Sequence, residues 1–373
     1  MWSRCVYHRE FTMRSLFIDL NHWIGLAQAR VGHPLGARYR DAYDLLAGQV
    51  RNGDLMIPLA ATHYQEVSDI GSLRQRADIA LTMDRLSRYS ALANRAVLLR
   101  HEVVSAVAAW RGLAAPPRPE AFGSGFRFVF QHPDGDILHP PRLDSQAPAM
   151  LALSGTARAV IHKVETLNGT GWTYFDRDAD WPALDLVAGV VREGGEYAML
   201  RGPSPSEVPG LRLAGYSPET WQQAVRTITA REQELAVRLA SGEVKPGKLK
   251  DIIVGRLFIW ELSTHLFAAQ RMFGFDREEL FVDGERVLGQ LLEDMPTMQV
   301  EYALRWANWR NGSYTWKDND IHDLAQLGPA VAYCDIVLTE KHAAAKLRAA
   351  HVDQRYRTVV VSRVEELVEH LTW

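Results

Sequence analysis

Short apolar runs that end in an acidic residue, each followed by a helical pattern, constrain the fold of this chain most strongly. Residues 15–20 form one such run, closed by Asp19, and the apolar spacing after it predicts a helix. Leu55–Leu59 is a second short run, and Thr62 is placed to cap the helix that follows. Strand and helix in alternation predict a parallel sheet covered by helices.

The last third of the chain returns to the same pattern after a long helical stretch. Short strands are predicted at 336–339 and 358–362, with helices before and after them. Residues 76–295 carry long helical patterns separated by loops rich in proline and glycine. The sequence therefore predicts a discontinuous α/β domain, residues 14–75 and 296–373, interrupted by a mostly helical insertion or lid.

Two local patterns give sharper expectations for the fold. Phe126–Phe130 is a short apolar run before a turn, which predicts a small β-hairpin. Gly328-Pro329 falls inside a helical pattern over 322–333, and proline removes one backbone hydrogen bond and clashes with the preceding turn. We expect that helix to break or kink there.

Composition excludes several classes of protein. Apolar residues make up 47% of the 373 residues, which argues against a disordered chain. The 42 basic and 45 acidic residues give a net charge of −3, so nucleic acid would need a local basic patch. Two cysteines, a charged N-terminal stretch unlike an export signal, and apolar runs too short to span a bilayer predict a cytoplasmic protein without a membrane partner.

Acidic residues gather at the predicted carboxyl ends of strands or just inside the following helices. Ligands of open α/β sheets bind at that edge, and several carboxylates meeting there repel one another unless a hard cation joins them. Oxygen ligands favour Mg²⁺ or Mn²⁺, and such ions serve phosphodiester hydrolysis. The candidate metal ligands are Asp19, Glu66, Asp320, Asp323, Asp335 and Glu340.

Simpler explanations exist for these acids one at a time. An acid in the first turn of a helix stabilises the helix dipole without any further function, which suits Glu66, Asp320 or Asp323 taken singly. Asp19 is harder to explain in that way, because a charge that ends a buried strand needs a partner. Asp19-Leu-Asn21 also resembles the start of an aspartyl-phosphate phosphatase motif, but Asn21 stands where that chemistry needs a second acid.

The arrangement resembles the PIN-domain family of metal-dependent ribonucleases. The resemblance lies in Phe17-Ile-Asp19-Leu-Asn21, in Ile57-Pro-Leu-Ala-Ala-Thr-His-Tyr-Gln-Glu66, and in Asn319-Asp-Ile-His-Asp323 followed by Tyr333-Cys-Asp335-Ile-Val-Leu-Thr339-Glu340. It implies a three-layer α/β/α fold around a parallel sheet and a carboxylate-held Mg²⁺ or Mn²⁺. Asp19, Glu66 and Asp323 are then the core catalytic ligands, with Asp335 or Asp320 as a fourth, Thr339 orienting a ligand and Glu340 at the edge of the site.

A segment rich in aromatic and basic residues precedes the C-terminal acids. Residues 305–317 interleave tryptophans with cations, a mixture that suits single-stranded RNA because rings stack on bases and cations meet phosphates. Arg310 and Lys317 are the candidate phosphate-binding residues, beside Asn21 and Thr339 at the strand ends. Trp306 and Trp309 could instead be core residues.

These patterns together predict a cytoplasmic PIN-like endoribonuclease. The resemblance to the PIN-domain family implies that cleavage leaves 5′-phosphate and 3′-hydroxyl ends. RNA is its expected substrate, and an inhibitory protein such as an antitoxin is a possible partner if the chain is a toxin or a defence effector. A non-catalytic PIN-like module that binds RNA or protein is the alternative. A metal phosphatase for a small substrate is a third reading of the same acids.

Overall fold

The computed structural model describes residues 13–131, 195–213, 218–280 and 285–372. The strands are β1 Arg14–Ile18, β2 Leu55–Met56, β3 Ser90–Leu92, β4 Phe122–Ser124, β5 Ile336–Leu338 and β6 Val359–Val361. The first helices are α1 Leu20–Arg30, α2 Arg40–Asn52, α3 Ala61–Asp69, α4 Leu73–Ser87, α5 Arg95–Trp110, α6 Gly125–Val129, α7 195–201, α8 Val208–Leu213 and α9 Pro218–Ala240. They are followed by α10 Leu249–Arg256, α11 Ser263–Phe273, α12 Glu285–Glu293, α13 Pro296–Arg310, α14 Asp318–Tyr333, α15 Lys341–Ala349, α16 Val352–Tyr356 and α17 Val364–Leu371.

Four of the strands form one parallel sheet in the order β2-β1-β5-β6. The first strand of the chain lies in the middle of it, with Leu16 beside Ile336 and Ile18 beside Leu338. All four strands run the same way, so their carboxyl ends meet at one edge. The sheet therefore brings β1 and β2, from the first part of the chain, together with β5 and β6, from its last part.

Alternating side chains of the sheet enter two separate cores. Leu16 and Ile18 pack with residues of α1, α2, α4 and α17 on one face. Phe17 and Val337 belong to a second core with residues of α5 and α9–α16. Because successive side chains of a strand point to opposite faces, helices cover both sides of the sheet. The α/β class expected from the sequence is confirmed as a small parallel sheet between helical layers.

The described helices between residues 76 and 295 share these cores. Ile79 and Met83 of α4 pack with the sheet residues of the first core, and Leu99 and Val103 of α5 belong to the second. Within the described ranges this stretch therefore packs directly against the α/β elements at both ends of the chain. Residues 132–194, which belong to the predicted insertion, lie outside the described residues.

The predicted hairpin strand at Phe126–Phe130 is wrong. The short strand is β4, just before this run, and it pairs antiparallel with β3. Gly125, with φ of +81°, turns the chain, and the Glu196 carboxylate accepts the Phe126 N–H at 2.8 Å. A buried carboxylate at the start of a helix satisfies a donor that the helix cannot, so this apolar run forms helix α6.

The predicted break at Gly328-Pro329 is also wrong, because α14 continues through both residues. Gly328 lies where α14 meets α13, and a Cβ there would stand 3.0 Å from Glu301 Cγ. The two helices therefore approach closely at a residue without a side chain. Their packing holds the helix together where proline removes one hydrogen bond.

Charged residues are buried beside this crossing, in what we call the ion cluster: Arg95, Glu232, Glu261, Glu301 and Arg305. Glu301 accepts Arg95 Nη2 at 2.7 Å and Arg305 Nη1 at 3.0 Å. Its side chain is fully buried. The pairing of Glu301 with Arg305 on one helix is thus part of a network that joins α5, α9, α13 and the π-helical turn Leu257–Glu261.

No single described helix is long and apolar enough to cross a bilayer. The segments Pro246–Glu261 and Ser263–Phe273 meet those criteria only when taken together, and the chain bends by 72° between them.

Glu102 provides a pH-dependent contribution to stability. Its buried carboxylate accepts the Thr297 N–H at 3.0 Å and the Tyr333 hydroxyl at 2.8 Å. Burial raises the pKa of Glu102 from 4.5 to about 7, although these hydrogen bonds lower it in part. A carboxyl whose pKa is raised by folding stabilises the fold below its unfolded pKa, and this contribution disappears as the pH rises through 7.

We therefore expect the unfolding free energy to fall about 3 kcal/mol more between pH 4.5 and pH 8 in the unsubstituted chain than in Glu102→Gln. Urea unfolding across this pH range measures the difference. Glu369→Gln, at an exposed position of α17, is the control and should follow the unsubstituted chain. Parallel pH profiles for the unsubstituted chain and Glu102→Gln would contradict the assignment.

Candidate metal centre

Asp19 follows β1 directly and caps the first turn of α1. Its side chain accepts the Asn21 N–H at 3.3 Å and the Thr339 hydroxyl at 3.0 Å. Asp19 N donates to Leu338 O at 2.9 Å, so β1 and β5 end side by side. Burial raises the pKa of Asp19, while the hydrogen bonds from Asn21, Thr339 and Glu340 oppose that rise. The carboxylate is thus fixed in position at the carboxyl edge of the sheet.

Glu66 and Asp323 reach the same region from two helices. Burial raises the pKa of Glu66 well above its ordinary value, and the charges of Asp19 and Asp323 raise it further. Burial and the charge of Asp19 raise the pKa of Asp323 to about 7. Like charges that perturb one another while buried are costly in the absence of a cation. The structure therefore brings Asp19, Glu66 and Asp323 into one electrostatic environment.

Two residues that the sequence analysis did not single out position these acids. His63 Nε2 meets Ile18 O at 2.8 Å, and its Nδ1 accepts the Ala60 N–H at 3.0 Å. Burial lowers the pKa of His63 to about 4, so this imidazole is neutral and joins the end of β1 to the start of α3. Three residues later on the same helix, α3 presents Glu66.

Gln326 connects helix α3 to helix α14. It accepts the Thr62 hydroxyl of α3 at 3.1 Å and donates to Asp323 Oδ1 at 3.4 Å. The side chain is almost completely buried. Through Gln326, the helix that carries Glu66 is tied to the helix that carries Asp323.

Asp320 has a different role from Asp323, although both lie on α14. One oxygen accepts the Lys317 N–H at 2.7 Å, and the other accepts the Tyr314 hydroxyl. Asp320 is thus the third residue of the helix, reaching back to cap its first turn. Both of its oxygens are already engaged, whereas among the described residues Asp323 has only the long hydrogen bond from Gln326.

Asp335 lies at the opposite edge of the sheet, which corrects its placement among the metal ligands. Its Oδ2 accepts the Ser15 N–H at 2.8 Å and the Ser15 hydroxyl at 2.7 Å, at the amino ends of β1 and β5. Four residue-to-residue steps of ~3.3 Å each along the strand separate it from Thr339 by about 13 Å. Asp335 therefore links the starts of two strands, and the other acids gather where these strands end.

The rim of the site is formed by a pair of exposed residues. The Asn21 side-chain amide donates to Glu340 Oε1, and Glu340 occupies the N-cap position of α15. Thr339 is completely buried, and its hydroxyl is committed to Asp19. Thr339 therefore orients the Asp19 carboxylate, and Asn21 and Glu340 border the space in front of it.

The predicted RNA-binding segment, residues 305–317, has some side chains in the core and others on the surface. Trp309 and Trp316 are buried in the second core, so the core explanation holds for Trp309. Trp306 is half-buried, stacked on Tyr302 with Arg310 over its face at 5.9 Å. Arg310 and Lys317 are both exposed.

Lys346 is a cation near the acids that the sequence analysis missed. It lies on α15, in the electrostatic field of Asp320 and Asp323, which raise its pKa while burial lowers it overall. No local motif marks this lysine. Asp320 and Asp323 lie on a different helix, α14, so the proximity becomes visible only in the folded chain.

The donor set suits a divalent cation, although the described residues hold no preformed cluster of three His, Cys, Asp or Glu side chains at ligand spacing. The fit is indicated by Glu66 Oε2, a buried oxygen that no described residue hydrogen-bonds. An unpaired buried carboxylate oxygen is costly. A cation that joined it to Asp19 and Asp323 would remove both this cost and the repulsion among the acids.

Comparison with family models, with curated proteins and with solved structures finds no match to this chain. What the site does is therefore inferred from its own residues.

Proposed function

We propose that this chain is a metal-dependent nuclease, a PIN-like endoribonuclease that hydrolyses phosphodiester bonds of RNA. The observation that carries the proposal is the unpaired buried oxygen of Glu66, in the shared field of Asp19 and Asp323. Three acids with raised pKa values, of which Asp19 is buried and Glu66 and Asp323 are half-buried, meet at the carboxyl edge of a parallel sheet, which is typical of a functional site. Asp19, Glu66 and Asp323 would hold Mg²⁺ or Mn²⁺, with Glu340 at the rim.

Each residue of the site has its own role in the proposed reaction. Bound Mg²⁺ or Mn²⁺ would supply Lewis-acid polarisation of the phosphate and offset the negative charge of the transition state. Thr339 and the backbone N–H groups hold the Asp19 carboxylate in a single orientation. Asp323 has a pKa of about 7 without metal, so binding of the cation near neutral pH would release a proton from it. Lys346 adds positive charge where a phosphate would approach.

Cleavage of labelled RNA tests the proposal directly. Single-stranded RNA and DNA of one sequence are incubated with purified protein and Mn²⁺, Mg²⁺ or chelator. We expect RNA to be cut with either metal and not with chelator. A protein that cuts neither the RNA nor the DNA but still binds RNA would favour the non-catalytic module. Hydrolysis of nucleotides but not of oligonucleotides would favour the phosphatase.

Metal binding can be measured separately from catalysis. At a Mn²⁺ concentration of about 100 times Kd, the unfolding free energy should rise by about 2.7 kcal/mol. Asp323→Asn should lose this stabilisation because it removes a proposed ligand. Asp320→Asn should keep it and lose only about 1 kcal/mol, the net contribution of the one hydrogen bond whose acceptor oxygen is replaced. Thermal unfolding with and without Mn²⁺ gives both values, and the reverse pattern would assign the ligand to Asp320.

A further inference from the structure

Three side chains beside the candidate metal centre form an aromatic and cationic surface, which we call the platform: Tyr314, His342 and Lys346. The rings of Tyr314 and His342 are nearly parallel, at 9°, with centroids 6.5 Å apart. Lys346 Nζ lies 4.8 Å from the centroid of the Tyr314 ring. His342 and Lys346 are four residues apart on α15 and so occupy one face of the helix.

Contacts of Tyr314 with Asp320 and Trp316 hold the platform in place. The Tyr314 hydroxyl donates to Asp320, and its ring meets the edge of the buried Trp316 at 5.7 Å. Tyr314 is half-buried, while His342 above it is exposed. A fixed ring under an exposed, nearly parallel ring offers a stacking surface at small cost in conformational entropy.

The platform also adjoins the acids. Asp320, which fixes Tyr314, is three residues from Asp323 on α14, and both act electrostatically on Lys346. A ligand on the platform therefore lies beside the proposed cleavage centre. Stacking rings with a cation next to them match a base and its phosphate, which is how proteins hold unpaired strands.

We propose that the platform binds one nucleotide of a single-stranded nucleic acid next to the scissile phosphate, with the base on His342 and Tyr314 and the phosphate on Lys346. This inference rests on the proposed nuclease function for its position in the reaction. The contact itself requires neither metal nor cleavage, because stacking and a lysine–phosphate contact form without either.

The test measures binding of a fluorescein-labelled 12-nucleotide RNA by anisotropy, in chelator and in the Asp19→Asn background. We expect His342→Ala to weaken binding about tenfold without changing its salt dependence, since a stacking contact releases no counterions. Lys346→Ala should weaken binding and lower the slope of log K against log[salt] by about 0.7, the value for one phosphate of a single strand. Lys346→Arg should keep the slope.

The matched control is Lys250→Ala with His370→Ala, which removes the same residue types from exposed positions on α10 and α17 and should leave binding unchanged. A duplex of the same sequence should bind more weakly, because its bases cannot stack on the platform. Unchanged affinity in both platform variants, or duplex binding as tight as that of the single strand, would overturn the inference. Platform-dependent binding without any metal-dependent cleavage would leave it standing and overturn the nuclease proposal alone.

Discussion

Asp19→Asn should abolish metal-dependent cleavage of RNA without destabilising the protein. Asparagine keeps the shape of the side chain, with its oxygen placed to accept the Asn21 N–H and its NH2 placed to donate to the Thr339 hydroxyl oxygen, so the local fold is retained. The substitution removes the negative charge on which metal binding depends. Loss of an outer-shell partner costs roughly 10–100-fold, and loss of a direct ligand should cost at least about 100-fold. Because burial raises the pKa of Asp19, the metal-free variant should be as stable as the unsubstituted chain.

Cleavage rates and urea unfolding of both proteins, prepared identically, measure the two halves of this expectation. Asp335→Asn is the matched control, because it makes the same change at the other edge of the sheet, beside Ser15. It should retain cleavage. Chelator-sensitive cutting by Asp19→Asn at the unsubstituted rate would remove Asp19 from the mechanism. Loss of cutting together with unfolding would show instead that Asp19 is structural.

Glu301→Gln should lower the unfolding free energy by about 3 kcal/mol, the lower part of the range for breaking a buried ion pair. Glu301 is fully buried and holds the guanidinium groups of both Arg95 and Arg305. Glutamine keeps the size that packs against Gly328 but removes the charge. Arg95 and Arg305 would then both lose the buried carboxylate that accepts hydrogen bonds from each of them.

Urea unfolding at constant pH measures this loss. Glu243→Gln breaks the exposed pair with Arg238, whose two groups are 2.8 Å apart, and serves as the comparison. It should cost less than about 1 kcal/mol, because water and salt screen a surface pair. Equal losses in the two variants would mean that the buried position of Glu301 adds nothing to its effect.

Sequence patterns were informative where a single stretch of chain determines both a secondary-structure element and the position of a site residue at its end. The apolar run before Asp19 predicts β1 and also places the acid at its carboxyl end. Asp335 and Glu340 show the converse, because β5 between them has only three residues. Two acids close in sequence then lie at opposite edges of the sheet, and whether an acid begins or ends so short a strand decides its role.

Other features depended on contacts that no local pattern encodes. Asp320 and Asp323 share a face of α14, but only the observed start of the helix at Asp318 makes Asp320 the capping residue. Glu301 and Arg305 are four residues apart on one helix, a spacing that favours an ion pair, yet the further partner of Arg305, Glu261, is 44 residues away. His63 and Lys346 likewise act through neighbours from other elements, which become visible only in the folded chain.

The position of β1 in the sheet also affects how the protein is made. Asp19 leaves the ribosome early, but Thr339, which orients it, lies 320 residues later. At 5–20 residues per second, translation of that interval takes roughly 15 to 60 s. During this time β1 has only the two residues of β2 as a neighbour in its sheet. A nascent chain therefore lacks an assembled centre until Thr339 has been synthesised, and the proposed nuclease activity would begin only after that point.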